Sequence, residues 1–213
     1  MEMKTHLLYL LGCGPGAADM VTQRVKNIVH QADLLIGCAR TLAMFPESAA
    51  ERMLYDHNIG QLLELAETAL QNGRKIAWLC TGDSTLFSIA TIVKSTFGPA
   101  RTIVVPGISS VQVACAALDV HLDQVRITSA HGRNWEYLPE YQKQHLCVLA
   151  GDADNLDALI ECGKVLQDTH TLFACVDLTL PTEVIREIKP SEIGEWIKHP
   201  LLLLFWRKYD KYN

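Results

Sequence analysis

Three apolar runs in the first half of the chain each end in a glycine-rich break, and this pattern restricts the fold more than any other feature. Leu7-Leu8-Tyr9-Leu10-Leu11 leads into Gly12-Cys13-Gly14-Pro15-Gly16. Lys75-Ile76-Ala77-Trp78-Leu79-Cys80 leads into Thr81-Gly82-Asp83-Ser84-Thr85-Leu86-Phe87, and Thr102-Ile103-Val104-Val105 into Pro106-Gly107-Ile108-Ser109-Ser110. Glycine at the C-terminal end of a buried strand lets backbone approach a ligand that a side chain would block. In open α/β sheets that edge is where small molecules bind, so three such loops predict a cofactor cleft.

The remaining pattern agrees with that class. Strand-like runs at 6–11, 33–36, 75–80 and 102–105 alternate with helical periodicity at 19–32 (capped by Asp19), 59–72, 84–95 and 108–117. Strands spaced by helices predict a mainly parallel sheet covered on its faces. The second half carries more strands and fewer helices. Strands are predicted at 125–129, 146–150, 171–177, 183–188 and 201–206, and helices at 136–143, 154–163 and 191–197, which suits a mixed sheet. Polar residues at Asp119–Asp123 break the periodicity, so an α/β domain over 1–120 and a second α/β domain over 121–213 are expected.

Bulk properties narrow the function. Apolar residues make up 49% and charged residues 20% of 213, a profile that argues against disorder. A net charge of −5 provides no basic field for nucleic acid, and the apolar runs are shorter than a membrane span. No nucleic-acid or membrane partner is therefore expected. The start of the chain lacks the order of a signal peptide, which predicts a cytoplasmic location. Seven scattered cysteines form no C-x-x-C pair, and eight histidines show no metal spacing. The expectation is buried thiols in a reducing compartment and no metal site.

Each loop has a rival reading. Gly12-Cys13-Gly14-Pro15-Gly16-Ala17 fits the dinucleotide fingerprint G-x-G-x-x-[GA], which would make the protein a nucleotide-dependent oxidoreductase or a ligand-binding protein. That mechanism needs an acid at the far end of the second strand, whereas Asp33 precedes that strand. Pro15 also removes a backbone donor. Asp83 suits a cationic or donor-rich ligand, or with Ser84 it caps the following helix. Ser109 and Ser110 can likewise be caps. Arg40, His131 and Arg133 read by residue type alone as solvated surface charges.

Taken jointly, these motifs resemble the tetrapyrrole methylases of the cobalamin pathway. The shared residues are G-x-G-P-G, the Gly82-Asp83 loop ending in Phe87, and Pro-Gly-Ile-Ser-Ser. Gly37-Cys38-Ala39-Arg40, the run through Val111-Gln112 and His131-Gly132-Arg133 are most similar to the branch that methylates C5 of cobalt-precorrin-7 or precorrin-6Y. The resemblance implies two α/β domains with the cofactor cleft between them, S-adenosyl-L-methionine as methyl donor (S-adenosyl-L-homocysteine as product), and a homodimer. It places cofactor contacts on Pro15, Thr81, Gly82, Asp83, Leu86, Ser109, Ser110, Leu149 and Leu178. Substrate contacts fall on Arg40, His131 and Arg133, with His131 also a candidate proton relay. A separate C15-methyltransferase/decarboxylase is implied as a partner. The same family acts at other precorrin positions and on other substrates, and these remain the alternatives. The chain departs from the family at Ser84, where proline is usual, and at 177–183, where a glycine is expected.

Overall fold

A computed structural model describes residues 8–55, 58–151 and 153–209. The start of the first predicted strand lies outside the described residues. The chain divides between Ser109 and Ser110 into two compact units. The sequence places the boundary after residue 120, eleven residues later and beyond the helix that opens the second unit.

The first unit is a doubly covered parallel sheet. Strands β1 (Leu8–Gly12), β2 (Leu34–Gly37), β3 (Glu51–Leu54), β4 (Ile76–Cys80) and β5 (Thr102–Val105) lie in the order β3-β2-β4-β1-β5. Every pairing is parallel, with Leu10 opposite both Trp78 and Val104. Alternate residues face opposite sides, and both sides are dry. Leu8, Leu10, Ile36 and Trp78 pack under helices α3 (Ile59–Gln71) and α4 (Ala90–Phe97). Leu11, Leu35, Ala77 and Leu79 pack under α1 (Gln23–His30) and the region of α2 (Ala39–Ala43). A strand buried on both faces reads as an unbroken apolar run, which is why these strands were visible. Strand β3 carries no such run, because three of its four residues are exposed and it pairs on one side only.

Two helix starts differ from expectation for local reasons. Asp19 sits in a short 3-10 turn, Ala18–Met20, and α1 begins after Thr22. The Thr22 hydroxyl accepts from the Val25 N–H at 3.3 Å, so threonine caps that helix. The second case is α4, predicted from 84. Residues 83–86 form a turn instead, and Phe87 has φ +46°, a value no helix interior accepts.

The second unit opens with α5 (Ser110–Ala117) and has a mixed sheet, as expected. Strands β6 (Val125–Ser129), β7 (His145–Leu149), β8 (His170–Val176), β9 (Val184–Glu187) and β10 (Leu202–Lys208) take the order β6-β7-β10-β8-β9. Only β6 and β7 are parallel. Helices α6 (Leu156–Leu166) and α7 (Ile193–Trp196) join Trp135, Tyr141, Leu146, Leu204 and Trp206 in one core. The helix predicted at 136–143 is a 3-10 turn over Pro139–Lys143, where the proline fixes the first position.

Candidate functional site

The sheet order sets the site. Strand β1 lies between β4 and β5, so all three glycine loops emerge side by side at the C-terminal edge of the first unit's sheet. They are fastened to one another through backbone. Gly14 and Gly82 exchange N–H···O bonds of 3.1 and 2.8 Å, and the Cys13 N–H donates to the Cys80 carbonyl at 2.8 Å. A Cβ on Gly107 would lie 2.4 Å from both the Gly12 and Gly82 carbonyl oxygens, and a Cβ on Gly12 would lie 2.4 Å from the Gly107 nitrogen. Real Cβ atoms do not come so close. These two glycines therefore let loop meet loop, not loop meet ligand.

Asp83 is used in the same way. One carboxylate oxygen accepts from the Thr85 N–H at 2.6 Å and from the Thr85 hydroxyl, while the other accepts from the Gly107 N–H at 2.9 Å. The side chain thus ties its own turn to the β5 loop and does not cap α4. Neighbouring Ser84 is buried and donates to the Val105 carbonyl at 2.9 Å. Hydrogen bonds to an ionised acceptor contribute roughly 1.5–3 kcal/mol each. Thr81 is left exposed on this rim, with Gly82 (φ +64°) and Leu86 half-buried beside it. Ser109 is buried and Ser110 starts α5.

Arg40, read from sequence as a substrate group, reaches back to the first loop. Its Nη1 donates to the Pro15 carbonyl at 2.9 Å, which joins the β2 and β1 loops. Beside it is Cys38. Burial opposes ionisation of this thiol, but hydrogen bonds from the Thr41 side chain and backbone outweigh it, helped by the charge of Arg40, and hold the pKa below the ordinary value. In contrast, burial pushes the Cys80 thiol up to about 11 and Cys13 higher still. Asp33 lies at the opposite end of β2 from the glycine loops and accepts from the Lys75 N–H at 2.7 Å. Among the described residues no acid follows β2, which ends in Gly37, where a dinucleotide ribose would need one.

The second unit holds the other candidates. His131, Gly132 and Arg133 form an exposed loop after β6, with Gly132 at φ +64°. Leu149 is half-buried at the end of β7, while Leu178 is buried just after β8, between Asp177 and Thr179, both at positive φ. No motif marks Asn155, yet this buried side chain makes three hydrogen bonds to the backbone around the His131 loop. Its partners lie 20–25 residues upstream, a separation no local pattern reveals. Among the described residues no three metal-binding side chains cluster.

Comparison with known proteins settles the family. Residues 7–194 match the model for tetrapyrrole (corrin/porphyrin) methylases. The chain belongs to the tetrapyrrole methylase family. A cobalt-precorrin-7 C(5)-methyltransferase from Salmonella typhimurium is 32% identical over 139 residues, which span 64% of this chain and 68% of that protein. Among solved structures, a precorrin-6Y methylase of cobalamin biosynthesis from Archaeoglobus fulgidus superimposes with TM-score 0.75 over 96% of this chain and 100% of that one, at 23% identity. A uroporphyrin-III C-methyl transferase from Thermus thermophilus, complexed with S-adenyl homocysteine, gives TM-score 0.69 over 94% of this chain and 92% of its own, at 18% identity. These likenesses confirm a tetrapyrrole methylase fold.

Proposed function

We propose that this tetrapyrrole methylase is an S-adenosylmethionine-dependent C-methyltransferase of corrin biosynthesis that methylates C5 of cobalt-precorrin-7 or precorrin-6Y. The observation that carries the reading is the 32% identity to a relative named for that reaction. The three fastened loops support it, since they leave a rim of small and polar groups at the C-terminal edge of a parallel sheet.

The donor supplies an electrophilic methyl group on a sulfonium. The chain's own task is to bind and orient. Pro15, Thr81, Gly82, Leu86 and Ser109 are assigned the donor in the first unit, and Ser110, Leu149 and Leu178 in the second. Asp83 acts by holding the loops in place. Alignment at near-attack distance can lower a barrier by about 7–11 kcal/mol without a covalent nucleophile. The macrocycle's carboxylates are assigned to Arg133 and His131, and Arg40 bridges the donor loop to that task. His131 is also assigned the proton exchanged at the meso carbon. The same reading carries a cytoplasmic homodimer, with C15 methylation and decarboxylation left to a separate enzyme. Among the described residues no helix is long and apolar enough to cross a membrane.

Calorimetry with S-adenosylhomocysteine and with NADH tests the assignment. About one product molecule per chain is expected to bind, and NADH none. Binding of NADH alone would overturn the reading and revive the oxidoreductase.

A further inference from the structure

Asn155 occupies the residue before α6, where asparagine commonly accepts from its own helix's N–H groups. Here the side chain makes no such cap. It turns instead to the loop after β6. Its Oδ1 accepts from the Trp135 N–H at 2.8 Å, and its Nδ2 donates to the Ala130 carbonyl at 2.7 Å and the Arg133 carbonyl at 2.9 Å. Only an amide does this. Aspartate cannot donate to two carbonyls, and alanine leaves all three backbone groups to find other partners. The orientation of the amide is fixed by the partners themselves, one donor and two acceptors.

The loop so held is anchored at both ends. Ala130 donates to the Leu149 carbonyl at 2.9 Å, and Trp135 is buried in the core against Tyr141, ring centroids 6.1 Å apart. Between these anchors residues 131–134 are all exposed. Two cation-capable side chains, His131 and Arg133, are thus carried on a backbone held by the buried Asn155 amide and, at its start, by the Ser129 hydroxyl, which accepts from the His131 N–H at 3.3 Å. A solvated loop is free to wander, whereas recognition of a carboxylate rewards a fixed guanidinium.

We propose that Asn155 is a positioning residue for substrate recognition, holding the His131–Arg133 loop in the shape that meets carboxylates of the macrocycle. This rests on the functional reading above. The test compares wild type, Asn155→Ala, Asn155→Asp and Arg133→Ala in steady-state turnover of cobalt-precorrin-7, with amide hydrogen exchange at Trp135 and S-adenosylhomocysteine affinity read in parallel. Both Asn155 variants should raise KM for the macrocycle by about tenfold, the worth of one hydrogen bond to a charged group. Affinity for S-adenosylhomocysteine should stay within about twofold, and Trp135 should lose exchange protection. In the Arg133→Ala background the further KM change from Asn155→Ala should be small, because the two act as one unit. Wild-type turnover with unchanged KM in whichever Asn155 variant folds would overturn the proposal alone, as would full additivity with Arg133→Ala. Absence of wild-type turnover would instead withdraw the functional reading, and this proposal with it.

Discussion

Gly107→Ala probes the junction of the three loops. The added methyl would lie 2.4 Å from two backbone oxygens, those of Gly12 and Gly82, and neither can rotate away as a side chain would. Gly107 is not at positive φ, so the effect is steric and not conformational. Relief requires β5's loop to move from β1 and β4, which stretches the Gly107 N–H···Asp83 bond of 2.9 Å. Overpacking costs about 1–3 kcal/mol and loss of a hydrogen bond to a carboxylate about 1.5–3, so about 3–5 kcal/mol is expected. For a chain of this length that lowers Tm by roughly 10 °C. The control is Gly60→Ala in α3, where the nearest atom to the new Cβ is 3.8 Å away. That change should stabilise by about 0.4–1 kcal/mol, through the unfolded chain. Thermal unfolding of both variants, with S-adenosylhomocysteine titrations, is the assay. Equal Tm shifts, or unchanged ligand affinity in Gly107→Ala, would refute the claim that backbone contact between these loops builds the site.

Other outcomes follow from single side chains. Arg40→Ala should weaken S-adenosylhomocysteine binding as well as macrocycle binding, because it removes the donor to the Pro15 carbonyl, and calorimetry showing intact product affinity would contradict this. Cys38 should be alkylated by iodoacetamide before the other six cysteines at neutral pH, since those are buried, and peptide mass mapping will show which thiol reacts first. His170 is buried, and burial lowers its pKa against the opposing hydrogen bond to the Gln144 carbonyl, with Lys208 and His145 adding to the lowering. The unfolded chain then binds the proton more readily, so this ring's contribution to stability is present above its ordinary value of 6.5 and is lost as pH falls through the depressed one. Replacing it with glutamine should flatten the fall in Tm between about pH 7 and about pH 5, and an unchanged slope would remove His170 as the cause.

The fold was legible where burial is two-sided. The strands through Leu10, Ile36 and Trp78 announce themselves as apolar runs, and the loops at their ends were found by glycine alone. What glycine does there was not legible. Its spacing suggested room for a ligand, while Gly12 and Gly107 in fact make room for each other's loops. Arg40 and Asp83 were identified by residue type, but type cannot distinguish a side chain that meets ligand from one that bonds a neighbouring loop. The choice between Asp19 and Thr22 as cap also turned on backbone angles, since both residues can accept. Asn155 was hidden because its partners are distant in sequence.

Methyl transfer itself is the most direct measurement. The protein is incubated with cobalt-precorrin-7 and S-adenosylmethionine carrying a 13C-labelled methyl group, and the macrocycle is read by mass and by carbon NMR. A single labelled methyl at C5 is the expected result. A labelled methyl at another ring carbon, or an unmodified macrocycle from protein that binds S-adenosylhomocysteine, would contradict it.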